Sequence, residues 1–191
     1  MMRLFIGLEL SIAVTEKLVL IQDELARVLP KDVDIRFVAP ERIHVTLKFI
    51  GETPEEMVPV IATRVAEMAR PLFPFEFKAV GFGAFPALDN ARIVWAGLDA
   101  QSAEVMDLLR QTLERELEAI GIVPDDREYR PHVTLGRMKS AKAVNISEWA
   151  AQLADTELGA SYVRDIILFA SDLGKEGAEY RVLQRFALGE S

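Results

Sequence analysis

The chain contains no cysteine, so disulfides, thiolate nucleophiles and thiolate zinc ligands are all excluded, and a reducing cytoplasm is the compartment that suits it. Long hydrophobic runs are also missing. The N-terminal stretch Leu4-Phe5-Ile6-Gly7-Leu8 is too short for a secretory apolar region and is cut by Glu9. It reads as a first strand, and nothing approaches the length of a membrane span. Positive charge is scarce as well: 22 basic against 30 acidic residues give a net charge of −8, with no basic run. A protein that grips a long nucleic-acid backbone needs a cationic face to neutralise phosphates. Any nucleic-acid substrate is therefore expected to be read at a terminus or over a short piece, by a few local cations. Arg42, Lys48, Arg92, Arg130 and Arg137 are the candidates.

Histidine is among the scarcest residues present, and its two copies are not independent. His44-Val45-Thr46-Leu47 and His132-Val133-Thr134-Leu135 are the same tetrapeptide. Given the first, chance would place the second histidine before Val-Thr-Leu about once in 10³–10⁴ trials. Each copy also has an arginine two residues upstream, Arg42 and Arg130. Histidine titrates nearest neutrality, so a duplicated pair points to acid–base chemistry. A zinc site would need a third ligand; there is no third histidine and no His-x-x-x-His, so only a carboxylate could complete one. No Gly-x-Ser-x-Gly supports a serine nucleophile. General base plus general acid is the simplest chemistry left, with no metal or other cofactor.

From Arg42 to Phe49 polar and apolar residues alternate, the pattern of a half-buried strand. The alternation predicts Ile43, Val45, Leu47 and Phe49 towards a core. Arg42, His44, Thr46 and Lys48 would share the other face, with Lys48 in solvent. The second copy places Arg130, His132 and Thr134 on one face. A histidine and a threonine two apart on a strand lie roughly 6–7 Å from each other, the right separation to flank a phosphate.

Four helices are expected. One is capped by Ser11 and runs to about Leu29, with a stripe of Val14, Leu18, Ile21, Leu25 and Val28. A second starts from a capping box at Thr53 and stops before Pro71. A third runs from near Ser102 to Gly121, and a short one starts at Ser147. Strands are expected at 2–9, 42–50, 74–80, 91–97, 131–138, 161–170 and 179–188. Gly81, Gly83 and Pro86 read as a turn-rich stretch, with a turn or bulge at Gly81-Phe82-Gly83. With 191 residues, half of them hydrophobic, there is material for a substantial core. The repeated strand followed by a helix predicts an α+β fold: a duplicated sheet-and-helix unit, with the motif strands facing each other across a cleft. No linker separates the halves, so residues 1–191 are expected to form a single bilobal domain.

With both motifs in hand, the chain resembles the two-histidine phosphoesterase superfamily, and within it the bacterial and archaeal RNA 2′,3′-cyclic phosphodiesterases, also called 2′,5′-RNA ligases. The resemblance spans nearly the full length: Arg3-Leu4-Phe5-Ile6, His44 to Gly51, Gly81 to Pro86, Arg92 to Gly97 and Tyr129 to Arg137. Arg42 departs from the family pattern, where asparagine is frequent, so Arg130 is favoured over it as a phosphate contact. The resemblance implies pseudo-twofold symmetry about a central cleft, and a monomeric, metal-independent enzyme acting on an RNA terminus or short oligonucleotide that carries a 2′,3′-cyclic phosphate, opened to a 2′-phosphate. It implies His44 as proton donor and His132 as proton acceptor. Thr46 and Thr134 would bind the phosphate oxygens, with Arg130, Arg92 and Arg137 as substrate contacts. Three alternatives stay open: 2′,5′-ligation by the reverse reaction, hydrolysis of a small cyclic nucleotide, and non-catalytic binding of RNA ends.

Overall fold

A computed structural model of the chain describes residues 1–139, 144–174 and 177–189. The N-terminal apolar run forms β1 (Met2–Glu9), in which Leu4, Phe5, Ile6 and Leu8 are all buried. It can be apolar throughout because it lies inside the sheet, between β3 (His44–Thr53) and β8 (Asp165–Gly174). The remaining strands are β2 (Ile35–Phe37), β4 (Phe75–Ala87), β5 (Asn90–Leu98), β6 (Val133–Met138), β7 (Glu157–Val163) and β9 (Gly177–Ala187). All pairings among the described residues are antiparallel, in one sheet of order β7-β4-β5-β6-β3-β1-β8-β9, with β2 added to β6. The motif strands β3 and β6 are its centre.

Helices cover the sheet: α1 (Ile12–Val28), α2 (Val58–Ala69), α3 (Ala100–Glu118) and α4 (Ser147–Gln152). Ser11 caps α1 as its sequence position predicts, accepting from the Val14 N–H. Val14, Leu18 and Leu25 enter the core, but Val28 is exposed. The other starts shift. Thr53 closes β3 with its hydroxyl donating to the Gly51 carbonyl, so the expected capping box never forms; a 3₁₀ turn over Glu55–Met57 leads into α2 instead. Asp99, not Ser102, caps α3, leaving the buried Ser102 hydroxyl to accept from the Lys78 N–H.

Three expectations about strands need correction. The predicted strand 161–170 is two strands, β7 and β8, with the chain turning at Arg164 between them. The three-residue β2 has no readable periodicity and was not expected. Gly81, Gly83 and Pro86 do not end the strand, since β4 runs through all three, but its register against β5 shifts between Ala79 and Phe82 and between Phe85 and Pro86, so the stretch is bulged rather than turned. Gly83 is required there by packing: a Cβ would stand 2.1 Å from the Trp95 ring that lies across it.

Both motif strands carry the same irregularity. Against β1, Gly7 pairs with Thr46 and Ile6 with Lys48, so Leu47 is an extra residue. Against β5, Trp95 pairs with Thr134 and Val94 with Gly136, so Leu135 is extra. Each bulge reverses the alternation beyond it. Lys48 therefore turns inwards and is buried, whereas Phe49 turns outwards and is exposed, the opposite of the simple alternating pattern.

Candidate active site

β3 and β6 meet at a single antiparallel register position, Val45 opposite Val133. Both valines are fully buried, so the flanking residues His44, Thr46, His132 and Thr134 point to the other face. The same register sets His44 across from Thr134 and Thr46 across from His132. All four side chains line one cavity of about 470 Å³, together with Arg42 and Arg137. The duplicated motif thus becomes one site.

The imidazoles are oriented alike. His44 Nδ1 lies 2.7 Å from the Arg42 carbonyl oxygen, and His132 Nδ1 lies 2.6 Å from that of Arg130. A carbonyl can only accept, so each Nδ1 carries a proton and each Nε2 is the nitrogen available for exchange. His44 Nε2 stands 3.0 Å from the Thr46 hydroxyl. The arginines at the start of each motif therefore serve first through their backbones. Tyr129 steadies the floor of the site, since its buried hydroxyl donates to the Thr46 carbonyl at 3.0 Å.

The surroundings of the two rings differ. His44 sits among Phe5, Phe169 and Tyr180, with centroids 4.9, 5.9 and 5.2 Å away. His132 has Phe85 at 5.0 Å and Trp95 at 6.0 Å. Burial pushes both imidazoles below the ordinary value of 6.5, opposed by their carbonyl contacts. The charge of Arg137 lowers both further, and His132 itself disfavours a proton on His44.

Of the proposed arginine contacts, the structure brings Arg137 into the cavity and leaves the other two outside it. The Arg130 side chain is exposed and paired with Glu128 at 3.1 Å, while Arg92 does not line the cavity. Arg42, the less favoured candidate, does line it; it belongs to a 3₁₀ turn over Pro40–Arg42 rather than to the strand. Lys48 is not solvated. Its Nζ lies 2.7 Å from Glu114 of α3 and donates to the Val123 carbonyl. Arg127, Tyr180, Phe49 and Phe85 also line the cavity. Arg127 lay hidden in a charged loop without periodicity, and only its closeness to the second motif could have flagged it. Among the described residues no group of three or more His, Asp or Glu side chains converges as a metal site. Nor is any helix among them long and apolar enough to cross a membrane.

Comparison with known proteins gives a consistent picture. The family model "LigT like Phosphoesterase" matches the chain twice, over residues 8–95 and 97–180. An RNA 2′,3′-cyclic phosphodiesterase of Methanothermobacter thermautotrophicus is 32% identical over 97% of this chain and 98% of its own. A protein of the same description from Aeropyrum pernix is 35% identical over 79% of this chain and 85% of its own. Among solved structures, TT0787 of Thermus thermophilus superposes with a TM-score of 0.80 at 30% identity, covering 99% of both chains. E. coli LigT complexed with 3′-AMP gives 0.76 at 24% identity, again over 99% of both, a likeness of fold.

Proposed function

The chain belongs to the LigT-like phosphoesterase family, and from that premise we infer that it is an RNA 2′,3′-cyclic phosphodiesterase, a phosphoric diester hydrolase. The observation that carries the chemistry is the mirrored pair of imidazoles, each with Nδ1 tied to a backbone carbonyl and Nε2 left for the cleft.

A cyclic phosphate between the two rings would be opened by water attacking phosphorus as the bond to the 3′ oxygen breaks. His132, neutral, accepts the proton of the attacking water at Nε2. His44, protonated, donates to the departing 3′ oxygen, leaving a 2′-phosphomonoester and a 3′ hydroxyl. The like-charge effect between the histidines favours a singly protonated pair, because a proton on one discourages a proton on the other. Thr46 and Thr134 hydroxyls hydrogen-bond the non-bridging oxygens, where charge builds in the transition state. Arg137 and Arg42 supply the compensating positive charge. The reading carries with it a monomer, and a reducing cytoplasm, which the absence of cysteine suits.

The test is incubation with a short RNA ending in a 2′,3′-cyclic phosphate, with and without EDTA. The expected result is a 2′-phosphate product formed at the same rate in both. Loss of turnover on chelation, restored by zinc or manganese, would overturn the metal-independent mechanism. A 3′-phosphate product would reverse the orientation of the substrate between the histidines.

A further inference from the structure

The cleft does not end at the histidines. A second chamber of about 390 Å³ continues from it, sharing Thr46, Phe49, Phe85, Ile93, Arg127 and His132 with the first. Each chamber falls in the range of roughly 300–1,000 Å³ typical of small-ligand pockets. Their chemistry differs. Arg42, Arg137 and His44 line only the first; Arg130 and Tyr129 line only the second, together with Glu114, Asp125 and Glu128, each of which is paired with a cation. A phosphate held between the histidines lies in the first chamber. The apolar junction of Phe49, Phe85 and Ile93 then suits the terminal nucleoside, and the arginines beyond it lie where the chain continues.

Arg127 is held in place by a network of ion pairs. Lys48 of β3 and Arg110 of α3 both pair with Glu114, at 2.7 and 3.5 Å. Arg110 donates to the Asp125 carbonyl at 2.7 Å, and the Asp125 N–H donates back to Glu114 at 3.4 Å. Asp125 in turn takes two hydrogen bonds from the Arg127 guanidinium, through Nε at 2.8 Å and Nη2 at 2.5 Å. Lys48, Glu114 and Arg110 are all largely buried, while the Arg127 side chain is 73% exposed. The network therefore ends in the Arg127–Asp125 ion pair, whose guanidinium is the exposed member at the cleft. Arg130 lies beside it, and its partner, Glu128, is itself exposed.

We propose that Arg127 and Arg130 form a contact site for the phosphodiester on the 5′ side of the terminal nucleotide, making the protein selective for an RNA end over a mononucleoside cyclic phosphate. The inference rests on the RNA reading above and names the part of the substrate that reading leaves undefined. It also meets the charge problem of an acidic protein acting on RNA, since the cleft confines the few cations needed to a single groove.

Two measurements test it. The first compares kcat/KM for a trinucleotide and a mononucleoside, both ending in a 2′,3′-cyclic phosphate, in the native protein and in the R127A/R130A double variant. The native protein should favour the trinucleotide by about tenfold or more, mostly through KM, and the variant should bring the ratio towards one. Each phosphate neutralised on a single strand adds roughly 0.7 to the slope of log affinity against log salt. The native trinucleotide slope should therefore be the steeper, and R127K should preserve that slope where R127A loses it. The second measurement is equilibrium binding of the matching 2′-phosphorylated products, which does not depend on turnover. Equal affinity for trinucleotide and mononucleotide products, or a preference untouched by the double variant, would overturn the proposal even if both substrates are hydrolysed. A binding preference lost in the variant, with no hydrolysis of either substrate, would uphold it while removing the catalytic reading.

Discussion

The two motif strands repeat each other through the bulge and then part. Three residues beyond Thr46 stands Phe49; three beyond Thr134 stands Arg137. Leu47 and Leu135 are the matching extra residues, so both side chains emerge at the same register position and both line the cavity. One flank of the site thus carries an aromatic ring and the other a guanidinium. The residue between bulge and rim differs too: Lys48, held inside by Glu114, against Gly136, where a Cβ would come within 3.0 Å of the Ile35 side chain. Duplication preserved the parts that any phosphate needs, the histidine, the threonine and the carbonyl that fixes the ring. The flanks differ, and on the proposed reading that gives a symmetric reaction centre a direction: phosphate towards Arg42 and Arg137, nucleoside towards Phe49.

The largest expected effect comes from deleting one member of the pair. H44Q and H132Q should each lower kcat by at least about 10²-fold, the usual contribution of a positioned acid or base. The native kcat/KM should follow a bell in pH, displaced to the acid side because burial holds both rings below 6.5. Losing His132 should remove the limb that needs a neutral base, and losing His44 the limb that needs a protonated acid. If the limbs vanish the other way round, the roles of the two halves are exchanged. A single variant that keeps the native rate would show that the repeat is not a catalytic pair.

Next in size is the cationic flank. R137A removes a charge that reaches both imidazoles and should cost about 2–4 kcal/mol of transition-state stabilisation, as loss of an oxyanion donor does. R130A should cost less than tenfold, and only on substrates longer than one nucleotide. Steady-state kinetics on a mononucleoside cyclic phosphate separates them. Equal losses there would mean that the flanks are not differentiated as the geometry indicates.

What sequence alone revealed divides along the same line. The histidines, the threonines, the core valines and the sheet-and-helix class follow from local repetition and alternation, which adjacent residues carry. Arg137 was within reach for that reason. Lys48 and Phe49 were assigned to the wrong faces because the bulge at Leu47 depends on β1, which is distant in the chain. Arg42 was ranked below Arg130 because it departs from the family pattern, yet it lines the cavity, from a 3₁₀ turn that begins at Pro40 rather than from the strand. Arg127 is placed by Asp125, Arg110 and Glu114, a network that assembles only when α3 docks beside β3. The glycines of β4 signalled a turn or bulge, and the register does shift there, but no turn forms, and Gly83 answers to the Trp95 ring of the neighbouring strand. Local signals located the chemistry, and contacts between distant segments set its flanks.

The smallest effect separates the two halves by stability rather than rate. Each histidine has a lower pKa in the folded chain than the ordinary 6.5, so between those values the unfolded chain binds the extra proton. Where the unfolded state holds more protons, stability rises with pH. Unfolding free energy should therefore be level above about pH 7 and fall as the pH drops through 6.5. The fall should end once the folded histidines are themselves protonated. The slope is bounded at about 1.4 kcal/mol per pH unit for each proton taken up. His44 lies deeper than His132 and feels His132 in addition to Arg137, so its share should be the larger. Urea titrations across the neutral-to-acid range should show H44Q flattening the slope more than H132Q. The native and H44Q curves should run parallel above about pH 7, where both rings are neutral in either state. An H132Q protein that loses more of the slope than H44Q would mean that burial among Phe5, Phe169 and Tyr180 lowers His44 less than its own surroundings lower His132.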